Sequence, residues 1–95
     1  MMLRWTAPAL RDLEEIGEYI ARDNPGAAAK VVAAIFHQTD LLVDQPLIGR
    51  PGRVAGTREL VIVGTPYIAA YRIRDEEAHI LAVLHGARRW PTRFG

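Results

Sequence analysis

The chain has no cysteine, a single lysine, and no apolar run near the ~20 residues that cross a bilayer. Without cysteine there is no disulfide framework, thiolate metal site or thiol nucleophile, which agrees with a reducing compartment. The near-absence of lysine leaves arginine as the working cation. Its guanidinium stays protonated, so it suits holding anions and suits proton transfer poorly. The opening MMLRWTAPAL lacks the charged-then-apolar pattern of a secretory leader. The expectation is a cytoplasmic protein without a membrane partner. No His-x-x-x-His or acidic loop is present, so no metal and no cofactor are expected. The glycines of 49–56 are not preceded by a strand and followed by a helix, which excludes a dinucleotide-binding fingerprint.

What is present fits one small domain, residues 1–95, with 49% hydrophobic and 24% charged residues. The net charge of +1 hides an asymmetry. Residues 1–45 carry Arg4, Arg11, Arg22 and Lys30 against seven acids, a net of −3. Residues 46–95 carry eight arginines against Glu59, Asp75, Glu76 and Glu77, a net of +4. A cationic C-terminal half points to an acidic partner, either nucleic acid or an acidic protein segment, or else to ordinary surface charge.

Patterning predicts β-α-α-β-β-β. MLRW (2–5) is a strand, and Thr6 caps a helix with Pro8 in its first turn. Leu10, Leu13, Ile16 and Ile20 recur at helical spacing to about Arg22. Asn24 and Pro25 open a second helix running to Pro46, with Ala28, Val31, Val32, Ile35, Phe36, Leu42 and Val43 as its buried stripe. Residues 46–56 read as a loop. Strands over 57–63, 67–74 and 78–85 follow, joined by GTP and by DEE, and such short connections imply an antiparallel meander. Alternation puts Tyr67, Ala69, Tyr71 and Ile73 on one face, and Ile68, Ala70, Arg72 and Arg74 on the other. The expected architecture is α+β: an N-terminal strand and a helical hairpin packed on one face of a small antiparallel β-sheet.

Among the residues that can carry chemistry, His37 and His79 read as surface or edge positions. Arg58, Arg72, Arg74, Arg88 and Arg89, with Arg50 and Arg53 in the loop, can make a cationic surface. A ribonuclease working through a 2′-hydroxyl needs a base, an acid and cations on the phosphate. Arg72 and Arg88 can hold phosphate, and His85 is the proton-transfer candidate near them. The bland alternative pairs Arg72 with Glu59 across neighbouring strands. Trp90 is expected to cover the end of the sheet, and Tyr67 and Tyr71 to pack in the core.

Three stretches in this order, GRPGRVAGTREL (49–60), YIAAYRI (67–73) and ILAVLHGARRWP (80–91), resemble the RelE/ParE superfamily of type II toxin–antitoxin toxins. ALRDLEEIGEYIARDNP is similar to that family's opening helix and its break. The resemblance implies the RelE/ParE-like fold and a small antitoxin partner whose C-terminal segment wraps the toxin. It leaves two kinds of target: RelE-like members cleave messenger RNA on the ribosome without a metal, and ParE-like members poison DNA gyrase.

Against the ribonuclease pattern, Ile68 stands where RelE-like toxins place an arginine after the first aromatic of the middle strand. Positions 46–63 contain no lysine, and the tyrosine of the RelE-like tail is matched at best by Phe94. The chain is therefore most similar to the ParE branch, which implies a bacterial, cytoplasmic gyrase inhibitor with a ParD-like antitoxin and no catalytic residue. Arg58, Arg72, Arg88, Arg89 and Trp90 are the expected target- or antitoxin-binding residues. One alternative is a metal-independent mRNA endoribonuclease using Arg72, His85 and Arg88. Another is an inactive toxin-fold protein that binds only its antitoxin. An acidic antitoxin over the arginines accounts for the charge asymmetry without nucleic acid, and direct nucleic-acid binding stays open.

Overall fold

The computed structural model describes residues 1–94. The order is β1 (Met2–Trp5), α1 (Ala7–Ala21), α2 (Pro25–Thr39), a single 3₁₀ turn (Asp40–Val43), β2 (Arg50–Pro51), β3 (Arg58–Val61), β4 (Tyr67–Arg74) and β5 (Glu77–His85). The strands form one sheet in the order β1-β5-β4-β3-β2. The α+β architecture with its β-α-α-β-β-β order is as predicted. Its sheet holds two features that local pattern did not reveal: β1 joins β5 in parallel, and the 46–56 loop adds the two-residue strand β2 to the edge of β3.

Each helix starts where its cap allows. The Thr6 hydroxyl accepts from the Ala9 amide at 3.4 Å and donates to Ile80 O at 2.7 Å, tying the helix start to β5. Asn24 Oδ1 accepts from the Ala27 amide at 3.0 Å. Caps of this kind stabilise a helix by about 1 kcal/mol. α2 ends at Thr39, earlier than the sequence suggested, and the 3₁₀ turn buries Leu42 before the chain leaves. Leu10, Phe36 and Val43, expected inside, are 45%, 40% and 37% exposed. Phe36 flanks Trp5 with ring centroids 5.2 Å apart rather than entering the core.

The main core lies between the helices and the inner sheet face, around Leu13, Ile35, Leu42, Ile62, Tyr71 and Ile80. A two-residue turn at Asp75 and Glu76, with φ 51° and 60°, joins β4 to β5. Glu77 therefore belongs to the strand and not to the tip. A register shift brings Ala70 opposite Ala82 and Tyr71 opposite Ile80, so Leu81 is the extra residue of a bulge. The bulge resets alternation, so Val83 returns to the inner face of Ile80, while Ala82 is buried on the outer face opposite Ala70. The outer face is covered at its centre as well: Ile68 and Ala70 are buried there.

Tyr71 fixes the start of the long loop. Its side chain is fully buried, its hydroxyl donates to Pro46 O at 2.6 Å, and the same oxygen accepts from the Gly49 amide at 2.9 Å. A Cβ at Gly49 would sit 2.5 Å from Tyr71 Cε1 and Oη. Gly49→Ala is therefore expected to cost about 1–3 kcal/mol by overpacking, read as a lower denaturant midpoint with an unchanged m-value. A midpoint equal to wild type would contradict the packing described.

Candidate functional site

The outward side of β3 carries Glu59, which is 2% exposed. A buried carboxylate needs charge-assisted partners, since an unpaired one costs several kcal/mol. Arg50 supplies two, from Nε at 3.1 Å and Nη2 at 3.0 Å to Oε1. The Arg53 amide donates to Oε2 at 2.7 Å, and Arg53 Nε lies 3.7 Å from the same oxygen. Arg72, the partner expected from sequence, is not among them. It stands opposite His79 on β5, whereas Glu59 stands opposite Arg50 on the edge strand. The carboxylate thereby draws residues 50–54 onto the outer face, and Val54 becomes buried.

The chain leaves β5 at HGARRWP under the same loop. Gly86 donates to Pro66 O at 2.8 Å and Arg88 to His85 O at 3.1 Å. Trp90 Nε1 donates to His85 O at 3.2 Å. The Arg53 guanidinium stacks 4.1 Å from the centre of the Trp90 ring. Arg88 and Arg89 project into solvent, and their side chains make no hydrogen bond or ion pair among the described residues.

On the other side of the tail, a cleft of about 380 Å³ opens between α1 and β5, lined among others by Asp12, Tyr19, Arg22, Tyr67, His85 and Arg88. It exists because β1 pairs with β5 only as far as Ile80, leaving residues 81–85 without a strand neighbour on that side. Asp12 Oδ2 takes one of the freed donors, the Val83 amide, at 3.0 Å. Burial pushes the Asp12 carboxyl above its ordinary value of 3.8, and this outweighs the lowering by the Val83 amide. His85 meets Tyr67 edge-on with ring centroids 5.7 Å apart, and its Nδ1 accepts from the Ala87 amide at 3.1 Å.

The residues singled out in the sequence are thus dispersed. His85, Arg88, Arg89 and Trp90 share the end of β5. Arg72 lies on the outer face of β4, five positions from the Tyr67 that pairs with His85, or about 16 Å along the strand. It borders a second, largely apolar cavity of about 530 Å³ with Pro8, Leu84 and Phe94. Arg72 therefore lies on the opposite face of the sheet from His85, which pairs with the inner-face Tyr67, although the two cavities share Asp12 and Leu84 in their lining. Arg58 is turned into the fold, donating from Nη1 to Gly49 O at 2.7 Å and to Leu47 O at 3.3 Å. No cluster of potential metal ligands occurs among the described residues, and no helix among them is long and apolar enough to cross a membrane. Asp12, Tyr19 and Arg22 of the cleft were not foreseen; their i, i+7 and i+10 spacing along one helix face was the available signal.

Two variants test this arrangement. Glu59→Gln keeps the shape and removes the charge shared by Arg50 and Arg53, with an expected cost of about 2 kcal/mol in denaturant unfolding. Equal stability would contradict the organising role of the carboxylate. A carboxyl whose pKa rises on folding favours the native state most below its ordinary value and loses that contribution as pH climbs through the raised value. Asp12→Asn keeps an acceptor for the Val83 amide. It should equal or exceed wild-type stability near pH 7, with the difference vanishing as pH falls below 3.8. A difference that grows on acidification would contradict the assignment.

Comparison with known proteins agrees with this geometry. Residues 3–90 match the family described as ParE toxin of type II toxin-antitoxin system, parDE. The chain is 52% identical to "Putative toxin Y4kP" of Sinorhizobium fredii over 89 residues, covering 94% of this chain and 92% of that protein. It is 38% identical to Toxin RelE2 of Caulobacter vibrioides over 84 residues, covering 88% and 93%. Among solved structures, a chain of the chromosomal ParDE toxin–antitoxin system from P. aeruginosa superposes with a TM-score of 0.80 at 34% identity, covering 90% of this chain and 95% of that one. The chain belongs to the ParE toxin family of type II toxin–antitoxin systems.

Proposed function

We propose that this toxin inhibits DNA gyrase by binding, without catalysis of its own, and that a ParD-like antitoxin neutralises it. The observation that carries this reading is the separation of the nuclease candidates. Arg72 sits on the outer face about 16 Å along the strand from Tyr67, the partner of His85. His85 pairs with the inner-face Tyr67 while Arg72 is on the outer face, so a phosphate held by Arg72 lies across the sheet from the imidazole. Exposed Arg88 and Arg89 at the end of β5 instead offer a compact cationic surface to a protein target.

The cleft beside β5 suits the antitoxin. Residues 81–85 have no strand neighbour on that side, and an extended segment can add there by main-chain hydrogen bonds. It does so by displacing Asp12 from the Val83 amide or by using the groups not held by Asp12, Arg88 and Trp90. Ile16 and Tyr19 give that segment apolar contact, and Arg22 and Arg88 give it a place for acidic side chains. The observation favouring the ribonuclease alternative is that His85 and Arg88 line this same cleft. That reading loses the third member of its set, Arg72, and leaves proton transfer to a single imidazole.

Reversing Arg88 and Arg89 to glutamate is expected to raise the concentration needed for half-inhibition of gyrase supercoiling about tenfold or more, with unchanged thermal stability. A doubly reversed protein as potent as wild type would remove this surface from the account.

A further inference from the structure

The Arg53 side chain reaches out of the 50–57 loop and touches the tail at two points. Its guanidinium lies 4.1 Å from the centre of the Trp90 ring, and its Nη2 donates to Gly86 O at 3.3 Å. Those two points bracket Ala87, Arg88 and Arg89. The bracketed turn is closed from within by the His85 carbonyl, which accepts from the Arg88 amide at 3.1 Å and from Trp90 Nε1 at 3.2 Å. Only a planar guanidinium meets both demands at once, stacking with its face and donating from its edge.

We propose that Arg53 is a positioning residue: a latch that fixes the 86–90 turn and so presents Arg88 and Arg89 in one pose to the target. The functional half of this statement rests on the gyrase reading above. A turn already ordered in the free protein spares the complex the entropy of ordering it, which shows in affinity even when the latch touches no partner.

The latch is separable from the anchoring of its loop. The short contact from Arg53 to Glu59 comes from its backbone amide, at 2.7 Å, and Arg50 supplies the other hydrogen bonds; the Arg53 guanidinium adds only a longer ion pair, with Nε 3.7 Å from Oε2. Truncating the Arg53 side chain therefore leaves residues 50–54 tied to β3 while releasing the tail.

The test is nitrogen-15 NMR of the two indole N–H groups combined with gyrase inhibition, in wild type, Arg53→Ala and Arg53→Lys. Trp5 lies on β1 beside Phe36 and serves as the internal reference. In Arg53→Ala the Trp90 indole N–H should exchange about tenfold faster or more while Trp5 is unmoved, and half-inhibition should need about tenfold more protein. Arg53→Lys keeps the charge but neither the stack nor the fork, and should follow the alanine variant; it is also the milder change should alanine impair folding. A Trp90 signal indifferent to both substitutions overturns the latch. A released indole with undiminished inhibition overturns its positioning role, and wild-type behaviour in the lysine variant overturns the stacking argument. If wild-type protein leaves gyrase untouched, the target assignment and the positioning role fail together, and the indole signal alone still decides the latch.

Discussion

A single carboxylate, that of Glu59, organises the outer half of this molecule. Burying it is costly unless its oxygens are met by charged donors, and Arg50 and Arg53 meet them from a loop with little secondary structure of its own. Because both guanidiniums remain partly in solvent, at 53% and 42% side-chain exposure, the arrangement satisfies the acid without sealing two further charges inside. The loop that results covers the sheet's outer face and carries Arg53 to the C-terminal tail. Tyr71 does the complementary work from the inner face, where its hydroxyl holds Pro46 and Gly49. Loop and tail are thus consequences of two side chains on neighbouring strands.

This changes the meaning of the basic C-terminal half. Three of its arginines are engaged inside the chain: Arg50 and Arg53 with Glu59, and Arg58 with the carbonyls of Leu47 and Gly49. Arginine suits such work because one guanidinium can serve two acceptors in a plane. The charge that remains for a partner lies at the end of β5 and in the tail, on Arg88, Arg89 and Arg93, and on Arg72 and Arg74 of β4. A protein target or an acidic antitoxin segment accounts for the excess on this distribution more economically than a continuous nucleic-acid track does.

The helices, their caps and the β3–β4–β5 meander were legible because each is written in local spacing: Thr6 and Asn24 before prolines, alternation from Tyr67, two turns between strands. The parallel placement of β1 was not, because it depends on where a helical hairpin delivers the chain, which no nearby residue states. Alternation also told which side chains of β4 share a face but not what covers them, so the burial of Ile68 and Ala70 beneath loop and tail went unforeseen. Glu59 was singled out correctly as an ion-pair partner but matched to Arg72, since a short segment holding four arginines and one acid does not say which of them the fold brings near. The cleft beside β5 was hidden for the same reason: it is the space left where β1 stops pairing and α1 passes over.

The account rests most heavily on target binding without RNA chemistry. The most direct measurement gives antitoxin-free protein to gyrase in a supercoiling assay and, in parallel, to translating ribosomes with a labelled message. Loss of supercoiling with intact message is the predicted result. Cut message with gyrase unaffected would contradict it and would return His85 and Arg88 to the centre of a catalytic site.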